Sequence, residues 1–267
     1  MSAFNPPYTI ETLLAIMAQL RDPQQGCPWD LRQSFETLVP HSIEEVYEVA
    51  EAVRLNDDDD LRLELGDLLF QVVFFAQIAK EHQQFDFASI IDGLCEKLLR
   101  RHPHVFGHAQ FANEAQVNAN WEAEKAKERA DKKAQSVLDD VPLALPALSR
   151  AQKLQKRAAN VGFDWDNAQQ VTDKVAEELE EVKVEQQRLD NDALAEEIGD
   201  LLFASVNLAR KHGFDSETLL RKANEKFERR FRQVEQLAAQ SDKPMSEHAI
   251  DELENYWVQV KAQEKAL

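Results

Sequence analysis

The sequence predicts an all-α protein made of two tandem helical bundles, one over residues 1–137 and one over 138–267. Three observations predict it. Of 267 residues only 7 are Gly and 9 are Pro, while Ala, Leu, Glu, Lys and Gln abound, a composition suited to long helices. Val171, Val175, Glu178 and Val182 fall at i, i+4, i+7 and i+11, which is one stripe of a helix. The chain also repeats itself, since "ELGDLLF" at 64–70 returns as "EIGDLLF" at 197–203, an offset of 133.

The elements follow in order. "EEVYE" at 44–48 answers "EELEE" at 177–181, and "EKLLRR" at 96–101 answers "EKFERR" at 225–230. "WEAEK" at 121–125 answers "WVQVK" at 257–261. Each copy therefore reads as helix, polar turn, helix and a further long helix. Asn56 and the aspartates after it make the turn in the first copy, and Asp190 with Asn191 makes it in the second. Such short turns join antiparallel neighbours. The apolar run "LLFQVVFFAQIA" at 68–79 is too short to span a bilayer and reads as a buried helix. Gly66 and Gly199, beside the repeated acids, are expected to let neighbouring helices approach closely. Asp215 or Ser216 is the expected N-cap of the helix carrying Lys226 and Arg230. Residues 108–135 read as a charged helix, and "LDDVPLALPALSR" at 138–150, with its two prolines, as the boundary between copies.

Composition narrows the function. A formal charge of −18 leaves no domain-wide basic surface for a nucleic-acid polymer, though a small phosphorylated ligand needs only a local basic cluster. Cys27 and Cys95 form no CxxC pattern, which suits a reducing cytoplasm and gives no thiolate metal site. The start of the chain shows neither a basic n-region nor an apolar h-region. The expectation is a soluble cytoplasmic protein with no membrane partner.

The acids carry the chemistry. Glu178 and Glu181 lie i, i+3 on one helix, and Glu197 and Asp200 do the same on the next. Glu197, Leu201, Ala204 and Leu208 form a stripe, so Glu197 faces the partner helix. A closed hairpin brings four carboxylates together, a costly arrangement unless a cation joins them. The same pattern recurs in the first copy, with Glu45, Glu48, Glu64 and Asp67 and the same nineteen-residue spacing from 45 to 64 as from 178 to 197. All eight are hard oxygen donors, which selects Mg²⁺, or Mn²⁺, over zinc. A di-iron bundle needs Glu-x-x-His pairs, and no His stands third after any of these acids. Lys226 and Arg230 share a stripe with Leu219 and Ala223, and Lys174 lies four residues before Glu178. These cations suit a polyphosphate held on a metal, or else pair with the acids in a buried network. Trp257 and Trp121 offer rings on which a base can stack, or sites of core packing.

Taken together, EExxE, the nineteen-residue spacing, ExxD and a following KxxxR resemble the all-α nucleoside triphosphate pyrophosphohydrolase superfamily. "GCPWD", "ELGDLLFQVVF", "RRHPHVF", "VGFDWD" and "KANEKFERRF" resemble its tandem-domain bacterial form, over essentially the whole chain. The resemblance implies Mg²⁺-dependent hydrolysis of nucleoside triphosphates to monophosphate and pyrophosphate, by a homodimer with broad base tolerance. It implies Glu178, Glu181, Glu197 and Asp200 as metal ligands, with Glu177 and Glu178 catalytic and Glu177 orienting water or touching substrate. It further implies that Lys174, Asn224, Lys226 and Arg230 hold substrate and that Trp257 approaches the nucleoside.

The first copy matches through Glu45, Glu48, Glu64 and Asp67, with Lys97 and Arg101 as its basic pair. It departs at His41, which stands where the second copy has Lys174, and at Pro103, which ends the basic helix early. The main activity is therefore expected in the C-terminal copy. Two other classes fit the same residues: a helical nucleotide-binding or regulatory scaffold with a structural metal, and a pyrophosphohydrolase of another phosphorylated metabolite.

Overall fold

A computed structural model describes residues 4–131, 135–241 and 243–266. Among them the regular elements are all helical: α1 (Ile10–Leu20), α2 (Phe35–Leu55), α3 (Asp58–Glu81), α4 (Phe87–Arg101), α5 (Pro103–Phe106) and α6 (Glu114–Asp131), then α7 (Ala147–Ala159), α8 (Ala168–Arg188), α9 (Asn191–Lys211), α10 (Ser216–Ala238) and α11 (Ile250–Ala266). The chain divides into two compact units, Met1–Lys125 and Ala126–Leu267. Part of the expected charged helix at 108–135 lies outside the described residues. Among the described residues no helix is long and apolar enough to cross a membrane.

Polar caps set the helix ends. The Ser34 hydroxyl accepts from the Thr37 amide at 3.4 Å, and the Thr37 hydroxyl accepts from the Ser34 amide at 2.8 Å, a reciprocal cap that starts α2. Asn56 ends α2 in the left-handed region (φ 53°), and Asp57 caps α3 by accepting from the Asp60 amide. The second unit repeats the arrangement, with Asn167 and Gln170 starting α8, Leu189 (φ 60°) ending it and Asp190 capping α9. Asp215, not Ser216, caps α10, accepting from the Thr218 amide at 2.8 Å. α4 ends at Arg101 and Pro103 opens a separate short helix, as expected of a residue without an amide hydrogen.

The core of the first unit is large and aromatic. Met17 from α1, Leu38 from α2 and Val73, Phe74 and Ile78 from α3 are fully buried, flanked by Phe35, Phe70 and Phe75. The Arg21 guanidinium grips Glu81 at 2.6 and 2.9 Å and donates to the Asp30 carbonyl at 2.6 Å, tying the end of α1 to that of α3. In the second unit the buried residues are smaller and more often polar: Val171, Ala204, Val206, Val234, Ala238 and Val260 beside Gln155 and Asn207. Gln152 accepts from the Ser216 amide at 2.8 Å and donates to the Phe214 carbonyl at 3.0 Å, which fixes α7 against the turn before α10.

The glycine expectation is overturned. A Cβ built on Gly66 or Gly199 meets nothing within 4 Å, so neither glycine is required by a close helix approach within its unit. Helix pairing is set instead by the apolar stripes on either side.

Truncating Phe74→Ala should destabilise the first unit by about 3–5 kcal/mol, the usual cost of a large aromatic lost from a close-packed core. Urea unfolding followed by circular dichroism measures it, and a loss near zero would remove Phe74 from the centre of the core.

Candidate active site

α8 and α9 are joined by a tight capped turn, so they run antiparallel and face one another along their apolar stripes. The stripe that buries Val171 also carries Glu178, which is only 6% exposed. Opposite it on α9 stand Glu197, half-buried, and Asp200, exposed. Carboxylate oxygens of Glu178, Glu197 and Asp200 come within 4.8 Å of one another. In the first unit the corresponding hairpin of α2 and α3 brings Glu45, Glu48 and Glu64 equally close. Each unit thus collects three of its four expected acids. The fourth stands alongside: Glu181 is hydrogen-bonded to Glu178, and Asp67 repels the charge on Glu64.

Electrostatics shows the strain of this gathering. Partial withdrawal from water, then repulsion from Glu178 and Asp200, holds the Glu197 carboxyl above its ordinary value. Glu181 is raised by desolvation first, then by its hydrogen bond to Glu178 and the charge of Glu197. Glu48 and Glu64 are raised in the same way, again by desolvation and then by neighbouring carboxylates. In the second unit Lys174 answers part of the charge, its ammonium 2.7 Å from Glu177 and 2.9 Å from Glu178. Hydrogen bonds to these two glutamates raise its pKa. In the first unit the position of Lys174 is held by His41, which stands 3.8 Å from Glu44 and edge-on to Trp29. There Gln71 donates to Glu45 at 3.2 Å.

The expected basic residues fall elsewhere. Arg230 donates to Glu264 of α11 at 2.7 Å and lies over the Trp257 ring at 5.9 Å. Trp257 also packs on Phe227, with centroids 5.5 Å apart. Lys226 and Asn224 are exposed and make no hydrogen bond or ion pair among the described residues. In the first unit Arg101 lies over Trp121 at 5.8 Å, the same cation–ring pairing. Lys97 is half-buried, without an ion pair among the described residues. Within each unit, then, the structure brings the acids together and leaves the arginine of KxxxR on other partners.

Beside the acids of the second unit opens a cavity of about 290 Å³, bordered by Lys174, Glu178 and Asp200 and lined by Gln155, Phe203 and Asn207. Sequence reasoning missed Gln155 and Asn207. Gln155 sits among lysines and arginines in "RAQKLQKRAA", where a glutamine looks solvent-facing; only its position one residue beyond Leu154, on a helix of few apolar residues, hints at burial.

The donor set can be judged by its chemistry. Three to four carboxylate oxygen donors per unit, with Glu48, Glu64, Glu181 and Glu197 raised by desolvation and then by neighbouring acids, fit a hard divalent cation such as Mg²⁺ and do not fit a soft one.

Comparison with known proteins follows the same residues. A model of the MazG nucleotide pyrophosphohydrolase domain matches twice, over residues 33–106 and 167–235, each match containing one acid hairpin. A nucleoside triphosphate pyrophosphohydrolase from Escherichia coli (strain K12) is 54% identical over 257 residues, 96% of this chain and 98% of that one. The nucleoside triphosphate pyrophosphohydrolase/pyrophosphatase MazG of Thermotoga maritima is 45% identical over 251 residues, 94% of this chain and 95% of that one. A crystal structure of a mazG-related protein from Thermotoga maritima aligns with TM-score 0.38 and 33% identity, over 43% of this chain and 98% of that one.

The raised Glu197 carboxyl yields a pH prediction. Folding holds the Glu197 proton more tightly than the unfolded chain does, so its charge costs stability as pH rises from the ordinary 4.5 through the raised value, and the cost persists above. With a chelator present, Glu197→Gln should therefore melt above the wild type at pH 7, and the gap should close as pH falls toward 4.5. Thermal unfolding across that range checks it; a wild type that is the more stable at pH 7 refutes the repulsion.

Proposed function

This chain belongs to the MazG nucleotide pyrophosphohydrolase family, and from that premise we propose that it hydrolyses nucleoside triphosphates to the monophosphate and pyrophosphate, with broad base tolerance and its main activity in the second unit. The observation that carries the reading is the convergence of Glu178, Glu197 and Asp200, with Glu181 beside them and one lysine on their rim. Curated relatives similar over nearly the whole chain bear the name of this activity.

Under this reading Glu178, Glu181, Glu197 and Asp200 hold Mg²⁺, or Mn²⁺, in the second unit. Glu45, Glu48, Glu64 and Asp67 offer a weaker set in the first. The ion, when bound, supplies the positive charge that a polyphosphate and a carboxylate cluster both need. The remaining work falls to side chains. Lys174 is held by Glu177 and Glu178 until a phosphate oxygen competes for it. That exchange releases Glu177, whose side chain is 58% exposed, to accept the proton of the attacking water. Water oxygen then bonds to phosphorus while the phosphoanhydride bond breaks and pyrophosphate leaves with the displaced electron pair. Asn224, Lys226, Arg230 and Trp257 are assigned to substrate in the same proposal. Arg230 reaches a phosphate only by exchanging Glu264 for it. A homodimer working in the cytoplasm completes the proposal.

The test is turnover of a radiolabelled triphosphate panel with and without Mg²⁺, with products identified. Monophosphate plus pyrophosphate, formed only with metal, is expected; binding without metal-dependent turnover would leave a nucleotide-binding scaffold, and other products another phosphorylated substrate. Glu178→Gln should lower kcat/KM by at least about 100-fold, since losing a ligand costs more than disturbing the residues behind one. Glu45→Gln should cost much less, and the reverse ranking would move the main activity to the first unit. Mg²⁺ at about 100 times its Kd should stabilise the wild type by about 2.7 kcal/mol per site, an increment that Glu178→Gln removes from the second unit.

A further inference from the structure

The cavity beside Glu178 has features that binding a metal and phosphates does not use. It is walled by the aromatic rings of Phe163, Trp165 and Phe203, and closed at its inner end by two buried amides, Gln155 (8% exposed) and Asn207 (4% exposed). Both amides are oriented by their neighbours. The Gln155 amide nitrogen donates to the Phe203 carbonyl at 2.8 Å, so its oxygen is the free end, and that buried Oε1 has no hydrogen-bond partner. The Asn207 Oδ1 accepts from Arg210 Nε at 2.8 Å, so its amide group is the free end, without a partner among the described residues. Arg210 is held in turn by Asp164, and Lys211 bonds Asp164 at 2.8 Å, so the frame behind Asn207 is rigid. A buried acceptor left unmatched costs a folded protein stability, and a site that keeps one gains when a ligand supplies the missing donor.

We infer that this cavity receives the nucleobase of the substrate, stacked among the rings, with Gln155 accepting from and Asn207 donating to its polar edge. The inference rests on the proposed hydrolysis for the identity of the ligand. Aromatic walls suit the π-face that every base has. One acceptor and one donor match bases that carry an amino or imino hydrogen beside a ring nitrogen or carbonyl, which gives broad tolerance but rejects a substrate without a base. The mouth at Lys174, Glu178 and Asp200 places the phosphate end on the acids. None of the lining residues comes from α10 or α11, so Gln155 and Asn207 are specificity residues additional to Trp257.

The first unit fills the corresponding position with a core side chain. At the repeat offset of 133, Phe74 stands where the second unit has Asn207, and Gln71 where it has Ala204. Phe74 is fully buried, edge-on to Trp29 at 6.4 Å and to Phe70 at 5.7 Å, with the Arg21 guanidinium 5.5 Å from its centroid. The first unit therefore keeps the acid hairpin and fills the base position with its own core.

The experiment compares a nucleoside triphosphate with the base-free ribose 5-triphosphate, in the wild type, Gln155→Leu and Asn207→Phe. Each variant should raise KM for the nucleoside triphosphate about tenfold, as for loss of one matched hydrogen bond in a dry site, with kcat within a few-fold. KM for ribose 5-triphosphate should stay within about twofold, since it makes no contact with either amide. Calorimetric Kd values for a nucleoside monophosphate against ribose 5-phosphate give the same comparison without turnover. Equal weakening of both ligands, or of neither, overturns the pocket. Should Asn207→Phe fail to fold, Gln155→Leu, close to isosteric, decides alone. A wild type that hydrolyses no triphosphate but binds the monophosphate in a Gln155-dependent way would sink the hydrolase reading and keep the pocket; full turnover unaffected by either variant does the opposite.

Discussion

Everything distinctive in this protein depends on holding like charges together between two antiparallel helices. A helical stripe that is otherwise apolar carries Glu178 into the seam of α8 and α9, and the partner stripe delivers Glu197 and Asp200 to within 4.8 Å. Carboxylates so placed lose water and repel one another, and both effects raise Glu197 and its neighbour Glu181 above their ordinary values. Lys174 offsets one charge but stands at the rim, 31% exposed, shared with Glu177. One ammonium against five acids leaves a net negative pocket. Such a site is stable only because the hairpin is anchored at its ends by caps and along its length by packing. Any cation it binds is therefore linked to folding.

The two copies distribute their stability differently. In the first unit Met17, Leu38, Val73, Phe74 and Ile78 make a continuous apolar core, and Arg21 with Glu81 closes it. In the second, alanines, Gln155 and Asn207 occupy comparable depth, and a cavity remains. Close packing forfeits little and binds nothing, whereas open volume lined by unmatched amides costs stability and gives a ligand something to complete. The first copy thus sets its acid hairpin beside a filled core, while the second sets its own beside open volume, the usual location of polar groups that break the rules of a core.

The predicted effects of Phe74 and Asn207 substitutions also mark where sequence reading ends. Helix identity, the capped turns at Asn56 and Asp190 and the convergence of the acids were all legible, because each follows from spacing within one or two neighbouring helices. The repeat made the acids stand out from an acidic composition. The role of Gly66 and Gly199 was not legible, since a small residue permits a close approach without requiring one. The partner of Arg230 was not legible either: Glu264 lies 34 residues away on α11, and a stripe on α10 says which side a cation is on but not what meets it. Gln155 was hidden for a third reason. Its burial comes from α7 packing on α9, and nothing in a Lys- and Arg-rich helix marks the one amide that turns inward.

The pairing of the cations bears on how a polyphosphate can be held. In the second unit Lys174 is engaged by Glu177 and Glu178, and Arg230 by Glu264, whose carboxyl is held below its ordinary value chiefly by its hydrogen bond to Arg230. Under the proposed reading the phosphates meet two cations already partnered, Lys174 and Arg230, beside Lys226, in a chain of net charge −18. Exchange of one anion for another on the same lysine or arginine gains little by itself, because the displaced carboxylate must be rehydrated or find a new partner. The surplus must come from charge brought in with the substrate and from contacts the acids cannot make. A triphosphate arriving as its metal complex supplies the first, placing its cation among Glu178, Glu197 and Asp200. A base entering the ring-walled cavity supplies the second, by meeting the unpaired Gln155 oxygen. Free phosphate and simple anions bring neither, so an acidic protein whose Lys174 and Arg230 are already engaged discriminates against the commonest anions in its surroundings without any residue devoted to excluding them.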